Sequence, residues 1–470
     1  MKSTLTLSFL LAVAFYGQAQ DPFPFGRVTL AEMDMTSYDR DTTAEAVVLN
    51  EFGEAYFSTE GDLDLVFEYH AKIKILKRSA FERANFEVLL PKNDGQTTKW
   101  ISVQGSTFNL NGQSLVETKL DPKKVFKETR SEYLDIMKFT LPDIRVGSVI
   151  EVKYRIESPF KFNFHEWKFQ SDIPKVRSEF WAKIPGNYQY NITLRGFLNL
   201  TKNESEIIKG CFNVGVNAIA DCAFYRYAID NVPALKSEEF MTARSNFLSA
   251  LNYELIQVTS FDGRVYKYTK EWRDVEEELR GHADFGAQIR KAKNLFDDRL
   301  PALLAGAADE KEKAVRIYHY VSSTFEWDEY YGKYASKGIR KAYAEKKGNI
   351  GDINLTLVAI LQEAGLEADP VLLSTREVGL PNTLYPVMSD FNYVVARVKV
   401  NDQFYLVDAS DPFLPFGVLP ERCLNGKGRL ITRNGADWVD LTPKAKEKSQ
   451  TVMTLKLEDD GYIRGTVEIK

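Results

Sequence analysis

The sequence has few of the side chains that most often bind metals or act as nucleophiles and bases. Among its 470 residues are only three cysteines and four histidines: Cys211, Cys222, Cys423, His70, His165, His282 and His319. It also lacks the glycine-rich patterns GxGxxG and GxxxxGK[ST]. Their absence excludes the two common phosphate-binding loops. We therefore predict no metal site and no cofactor.

Long apolar runs are scarce as well. No segment reaches the roughly 18 uninterrupted apolar residues that a membrane-spanning helix needs. Residues 1–20 instead combine Lys2, a short apolar run from Phe9 to Tyr16 and a small-residue exit, which is the pattern of a secretory signal peptide. The stretch "DPFPFG" then breaks any continuing helix. We expect an exported chain with no membrane span after residue 20.

Charge of neither sign dominates the sequence. Lys and Arg number 61, Asp and Glu number 66, and the formal net charge is −5. The basic residues are scattered, so we predict no nucleic-acid binding. Apolar residues make up 44% and charged residues 27% of the chain, as in folded globular proteins, and the length suffices for two to four domains.

Residues 21–267 have the alternating pattern of β-strands. In "DLDLVFEYHAKIKIL" every second residue from Leu63 to Ile75 is apolar, and "GSVIEVKYRIESPF" repeats this pattern. Turn signals such as "LNGQ" and "IPGN" separate the runs. Strands that follow one another without helices predict an antiparallel β-sandwich.

The periodicity becomes helical near residue 268. The stretch "DEKEKAVRIYHYVSSTF" and the stretch "GNIGDINLTLVAILQEAGL" have helical spacing, and the second helix is apolar nearly all round. Strands follow, with the turn "VNDQ" joining "FNYVVARVKV" to "QFYLVDAS". Helices before a small antiparallel sheet predict an α+β domain over 268–435.

The final residues, 436–470, alternate again around the turn "DDG". Two interpretations stay open. This stretch is either the start of a C-terminal β-domain that the sequence truncates, which is the one we adopt, or a short closing hairpin.

The helical region resembles the transglutaminase-like superfamily, relatives of papain-like cysteine enzymes. The matching stretches are "AVRIYHYVSSTFEWDEYY", "GNIGDINLTLVAILQEAGLEADPVLLSTR", "FNYVVARVKVNDQFYLVDAS" and "LPERCLNGKGRLI". The preceding β-region, with "PDIRVGSVIEVKYRIESP" and "YRYAIDNVPALKSEEFM", resembles an uncharacterised domain that often precedes this fold in exported proteins of Gram-negative bacteria. The resemblance implies a papain-like fold and a location in the periplasm or cell envelope of such a bacterium.

Active members of the superfamily open the central helix with Gly-x-Cys-x-Asp. The thiolate there is activated by the helix dipole and by a histidine, which an acid orients. In this sequence Gly348 and Asp352 match the ends of the motif, but the cysteine position is Ile350. The histidine position is Tyr393, after the matching Asn392, and only the orienting acid, Asp408, is kept.

The resemblance therefore predicts an enzyme fold without its enzyme chemistry. Isoleucine cannot act as a nucleophile, acid or base, and we expect Ile350 and Tyr393 to pack in the core. We also expect Asp408 to accept a hydrogen bond from Tyr393 or from the backbone. Asp352, Asn392 and Trp327 are the other candidate cleft residues. Cys211 and Cys222 form either a local disulfide or two reduced core thiols.

Three functions are compatible with these residues. The first, which we adopt, is a catalytically inactive protein that binds or assembles with a peptide, a glycan or an envelope protein. The second is a peptide or amide hydrolase, or an acyl-transferase, with an unorthodox site in which Cys423 is the thiol to test. The third is a purely structural β-sandwich protein whose helical domain is a spacer.

Overall fold

The structure is a computed structural model, and it describes residues 21–470 except 94, 132, 163, 240, 269, 270, 384, 385, 433, 434, 436, 444, 445 and 447. The signal segment predicted for residues 1–20 lies outside the described residues. The chain divides into two compact units. One comprises the described residues up to Glu238 with Phe247–Tyr268, and the other comprises Glu239–Asn246 with the described residues after Tyr268.

The first unit is built almost entirely of strands. Its elements are α1 (Leu30–Asp34), β1 (Ala46–Phe57), β2 (Leu65–Ile75), β3 (Asn85–Asn93), β4 (Gln96–Thr97), β5 (Lys99–Asn111), β6 (Ser114–Lys119), β7 (Phe126–Ser131), β8 (Leu134–Thr140), β9 (Val149–Ser158), β10 (Trp167–Lys168), β11 (Lys175–Pro185), β12 (Tyr188–Arg195), β13 (Lys202–Asn213), β14 (Ile219–Val232), β15 (Ala250–Thr259) and β16 (Val265–Lys267).

An eight-stranded sheet organises this unit, in the order β13-β14-β11-β1-β2-β9-β5-β6. Two smaller sheets, β10-β15-β12 with β16 at β15 and β4-β3-β8-β7, complete it. Apolar residues of all three sheets share one core, for example Phe67 of β2, Phe139 of β8 and Leu251 of β15. The predicted β-rich fold is confirmed, with one difference: β1 and β11 pair in parallel, whereas an antiparallel arrangement was expected.

The alternation of β2 has a clear structural result. Its apolar residues, such as Phe67 and Ile73, enter the core, while His70, Lys72 and Lys74 lie on the opposite face. Residues 21–34 cover that face. Two hydrogen bonds of 2.6 Å connect them to it: Lys72 Nζ donates to the carbonyl of Arg27, and Lys74 Nζ donates to the carbonyl of Met33. Buried lysines need such acceptors.

The two cysteines of the first unit are on neighbouring strands. Cys211 of β13 and Cys222 of β14 have Cα atoms 5.8 Å apart and are joined as a disulfide. This separation lies within the usual range for the bond. Cys423, in the second unit, is a free buried thiol.

The second unit is α+β. Its elements are α2 (Trp272–Gly281), α3 (Gly286–Lys291), α4 (Leu300–Leu304), α5 (Glu310–Thr324), β17 (Glu326–Trp327), α6 (Ile339–Glu345), β18 (Lys347–Gly348), α7 (Ile350–Glu363), β19 (Ala368–Leu373), β20 (Tyr393–Val400), β21 (Gln403–Val407), β22 (Lys427–Leu430), β23 (Trp438–Asp440), β24 (Thr451–Leu457) and β25 (Ile463–Ile469).

Helix α7 is the centre of this unit. It packs against β19 and β20 of an antiparallel five-stranded sheet, ordered β21-β20-β19-β22-β23, and against α3, α5 and α6. Every residue from Ile350 to Leu361 is buried, as the all-round apolar pattern predicts. The predicted order of a helical region followed by strands is confirmed.

The last strands, β24 and β25, pair as the expected hairpin. The C-terminal β-domain that we expect from residue 436 stays a prediction. No helix in the described part of the chain is long and apolar enough to cross a membrane.

Candidate functional site

The candidate site lies at the beginning of α7. Asn349 caps this helix: its side chain accepts from the Asp352 amide at 2.8 Å, and its own amide donates to Asp352 Oδ2 at 3.1 Å. Asp352 also accepts from the Ser336 hydroxyl and the Gly338 amide, each at 3.0 Å. Burial raises the pKa of the Asp352 carboxyl, and these hydrogen bonds oppose that effect. Asp352 therefore connects the loop that contains Ser336 and Gly338 to the beginning of α7. Both of its carboxylate oxygens accept hydrogen bonds within the protein.

Ile350, which the resemblance assigns to the superfamily's cysteine position, is the first residue of α7. Its side chain has no exposed surface and belongs to the apolar core. One helical turn later on the same face comes Asn354. The Asn354 amide donates to the carbonyl of Val394 and to Asp408 Oδ1, both at 2.9 Å. The face of α7 that starts with Ile350 is thus directed at β20 and Asp408.

Tyr393 and Asp408 are in direct contact. The Tyr393 hydroxyl donates to Asp408 Oδ2 at 2.6 Å, which is one of the two kinds of hydrogen bond expected for Asp408 from the sequence. Asp408 Oδ1 accepts from Asn354 and from the amide of Ser410 at 2.9 Å. Burial, reinforced by the charge of Asp408, raises the pKa of the Tyr393 hydroxyl well above its ordinary value. Tyr393 is therefore a permanent donor and not a base at neutral pH.

Arg422 completes this buried cluster. Its Nε donates to the Tyr393 hydroxyl at 3.0 Å, and its Nη2 donates to Ser410 Oγ at 2.7 Å. Nη2 also lies 3.8 Å from Asp408 Oδ2. Because a guanidinium group stays charged at all physiological pH values, Arg422 is a fixed counter-ion for Asp408. We refer to Asn354, Tyr393, Asp408, Ser410 and Arg422 as the buried polar cluster.

Cys423 adjoins the cluster but is poorly suited to nucleophilic attack. It is fully buried, and its Sγ lies 3.9 Å from Asp408 Oδ2. Burial raises the pKa of the thiol well above its ordinary value, and the charge of Asp408 adds to the increase. The reactive form of a cysteine is the thiolate, so this environment suppresses reactivity.

The remaining predicted cleft residues have different surroundings. The Asn392 side chain makes two hydrogen bonds with Thr375. Its Oδ1 accepts from the Thr375 amide and its Nδ2 donates to Thr375 Oγ1, both at 2.9 Å. Trp327 lies next to the cluster, with the Arg422 guanidinium 5.1 Å from its ring centre. Of the predicted cleft residues, Trp327 is thus adjacent to Arg422, whereas Asp352 hydrogen-bonds to Ser336 and Gly338 and Asn392 to Thr375.

Trp327 forms an exposed aromatic surface with two tyrosines. It stacks on Tyr331 at a centroid distance of 5.6 Å, and its Nε1 donates to the carbonyl of Tyr330 at 3.0 Å. Tyr331 also contacts the ring of Tyr393 edge-on. Tyr330 is 73% exposed and Tyr331 38% exposed. We call Trp327, Tyr330 and Tyr331 the aromatic ledge.

Sequence reasoning missed Asn354, Ser410 and Arg422. Asn354 could have been noticed as a polar residue within an otherwise apolar helix, because a buried amide needs partners. Arg422 directly precedes Cys423 in "LPERCLNGKGRLI", one of the stretches that resemble the superfamily. No group of three or more His, Cys, Asp or Glu side chains suited to a metal occurs among the described residues.

Comparison with known proteins places this geometry in context. Residues 298–409 match the sequence model of the transglutaminase-like superfamily. The chain is similar to a candidate protease from Parabacteroides distasonis, with 11% identity, a TM-score of 0.53, and coverage of 85% of this chain and 72% of that one. This likeness shows a shared fold. A comparison with curated proteins gives no match.

A second solved structure aligns over a shorter part of the chain. It is a candidate cysteine protease from Cytophaga hutchinsonii, with 11% identity and coverage of 52% of this chain and 73% of that one. Its TM-score of 0.21 is too low to support an argument about the fold.

Proposed function

We propose, from the premise that residues 298–409 form a transglutaminase-like domain, that this domain is catalytically inactive and acts as a binding module. The observation that carries the proposal is the occupation of the reactive positions. A fully buried isoleucine, Ile350, stands where the thiol would be, and Tyr393 donates to Asp408 where a histidine would. Acyl transfer through a covalent intermediate needs a nucleophile and a base, and these residues supply neither.

An enzyme with an unorthodox site is the main alternative. Its thiol would be Cys423, which is buried and whose pKa is raised well above the ordinary value. Among the described residues no histidine hydrogen-bonds to the cluster, whose hydrogen bonds come from tyrosine, serine, asparagine and arginine. The geometry therefore favours the inactive interpretation.

The aromatic ledge supports a binding role over that of a spacer. Tyr330 and Tyr331 are exposed, and the stack of Tyr331 on Trp327 lies next to Arg422. Tyrosine, tryptophan and arginine are the residues most often found at energetically important positions of interfaces. We propose that the ledge contacts the ligand, which is a peptide, a glycan or another protein of the envelope.

Export to the periplasm or cell envelope of a Gram-negative bacterium belongs to the same proposal. It is supported by the signal-like pattern of residues 1–20. The Cys211–Cys222 disulfide fits an oxidising compartment as well.

An activity assay tests the first half of the proposal. The chain is incubated with casein and a dansylated alkylamine, and separately with a library of peptide amides. We expect amine incorporation and amide hydrolysis at the level of a protein-free blank, for the wild type and for Asp408→Ala alike. Activity in the wild type that disappears in Asp408→Ala would contradict inactivity.

Arrays of immobilised peptides and glycans test the second half. We expect the chain to bind a subset of spots, and Tyr330→Ala to reduce that binding at least tenfold. Tyr462→Ala is the matched control, because Tyr462 is 69% exposed and lies between β24 and β25. Spots that bind equally well after both substitutions would place the binding surface elsewhere.

A further inference from the structure

The first unit contains a cavity of about 1170 Å³ on the polar face of its eight-stranded sheet. Glu54, Tyr56, Glu68, Arg155 and Lys183 line it from β1, β2, β9 and β11. The segment 21–27 lines it with Asp21, Phe25 and Arg27 among others. All these residues belong to one unit, so the cavity is separate from the transglutaminase-like domain.

Two carboxylates face each other in this cavity. Glu54 of β1 and Glu68 of β2 are direct partners in the strand register. Like charges at directly opposite positions destabilise a sheet unless a cation lies between them. The cations nearby are not in close contact with them: Lys183 Nζ is 3.5 Å from Glu54 Oε1, Arg155 Nη1 is 3.6 Å from Glu68 Oε1, and Lys153 Nζ is 3.9 Å from Glu68 Oε2.

Glu54 is the less well satisfied of the two carboxylates. It is 8% exposed, and within the described part of the chain the long contact from Lys183 is its only hydrogen bond. Glu68 is better satisfied, because the Tyr56 hydroxyl donates to it at 3.0 Å. Burial raises the pKa of the Glu54 carboxyl, and the charge of Glu68 adds to this effect while Lys183 opposes it. A buried carboxylate in such surroundings is stabilised by an added donor with a positive charge.

The cavity lining also contains positively charged side chains, which can face a carboxylate group of a ligand. Arg27 is exposed and has no ion pair among the described residues, whereas Lys183 contacts Glu54 and lies over the rings of Tyr56 and Phe224. The lining therefore complements a ligand that carries both an ammonium and a carboxylate group. Phe25 and Tyr56 add aromatic surface, and the volume exceeds what a single amino acid fills.

We propose that this cavity binds a short peptide with free ends. The α-ammonium group of the peptide lies between Glu54 and Glu68, and its carboxylate faces Arg27. This binding site is independent of the function proposed for the second unit.

Isothermal titration calorimetry of the full chain with trialanine tests the site. We expect saturable binding to one site, and at least a tenfold loss of affinity for N-acetyl-trialanine, which has no ammonium group. Glu54→Gln is expected to weaken trialanine binding by the same factor. Glu206→Gln, a substitution of an exposed glutamate on β13, is the matched control and keeps wild-type affinity.

A second comparison, of trialanine with trialanine amide, tests the contact made by the carboxylate end of the peptide. Arg27→Met is expected to weaken trialanine and to leave trialanine amide unchanged. Failure of trialanine to bind would overturn the proposal, and so would equal affinity for the acetylated peptide. The acetylation test uses only the wild type, so it holds even where a variant fails to fold.

Discussion

The hydroxyl of Tyr393 lies 2.6 Å from Oδ2 of Asp408, and neither side chain has exposed surface. The resemblance to the transglutaminase-like superfamily assigns Tyr393 to the position of a catalytic histidine and Asp408 to the acid that would orient it. This assignment underlies the proposed inactivity, since a tyrosine that donates to the acid takes the place of a base. Arg422 brings a positive charge to within 3.8 Å of Asp408 Oδ2.

Substitution of Tyr393 by phenylalanine removes the hydroxyl that joins Asp408, Ser410 and Arg422. We expect the free energy of unfolding to fall by about 1–3 kcal/mol, because buried polar groups lose a partner. Urea denaturation measures this change. Tyr405→Phe is the control, since its hydroxyl bonds Gln403 at the surface, and we expect it to cost less than about 0.5 kcal/mol. Equal effects would show that the buried contact contributes nothing.

Substitution of Asp408 by asparagine leaves the Arg422 guanidinium without its carboxylate. Asp408 is buried and Arg422 is partly exposed at 3.8 Å from it, so we expect a loss of about 1–3 kcal/mol in the same denaturation assay. Asp402→Asn provides the comparison, because that side chain is 94% exposed. A stability change for Asp408→Asn as small as that of the control would show that the contact between Asp408 and Arg422 contributes little to stability.

Cys423 is expected to react slowly in the native chain. It is buried and its thiol pKa is raised, so iodoacetamide at pH 7.5 should modify it far more slowly than in denaturant. Because Cys211 and Cys222 are joined, one modified cysteine per unfolded chain is expected without reductant. Intact mass against time gives both values. Rapid modification of Cys423 in the native chain would support Cys423 as a nucleophile.

His165 predicts acid sensitivity of the first unit. Burial lowers the pKa of its imidazole from 6.5 to about 4, and Lys168 adds to this effect. The folded state thus keeps His165 neutral, so its contribution to stability is complete above pH 6.5 and is lost as the pH falls toward 4. We expect this loss to approach 1.4 kcal/mol per pH unit at most.

Denaturation between pH 7 and pH 4 checks this expectation. The stability of His165→Phe should depend less steeply on pH than that of the wild type, because this variant keeps a ring against Phe67 and cannot be protonated. His319→Gln, at an exposed position of α5, should follow the wild-type profile. Parallel curves for His165→Phe and the wild type would rule out His165 as the origin of the dependence.

Local patterns were sufficient to predict much of the second unit. The helical spacing predicted α5 and α7, and "VNDQ" predicted the β20–β21 hairpin, in which Asn401 and Asp402 have positive φ. These features depend on neighbouring residues, which is why the sequence reveals them. The expected contact of Tyr393 with Asp408 followed from the family pattern rather than from periodicity.

Long-range pairing could not be predicted in the same way. The parallel pairing of β1 with β11 joins strands that are far apart in sequence, and nothing in either strand specifies its partner. The same holds for Arg422, whose role depends on how the loop after β21 returns to β20. The covering of β2 by residues 21–34 also went unpredicted, although the buried lysines of β2 required acceptors.

The most direct test of the central claim is a search for a nucleophile at the head of α7. The native chain is treated with a peptidyl vinyl sulfone and its intact mass is measured. Tyr330→Cys serves as the accessible control, because this exposed position lies on the aromatic ledge. We expect the control to gain one adduct and the wild type to keep its mass. An adduct in the wild type that maps to Cys423 or to the buried polar cluster would contradict the claim that this domain has lost its chemistry.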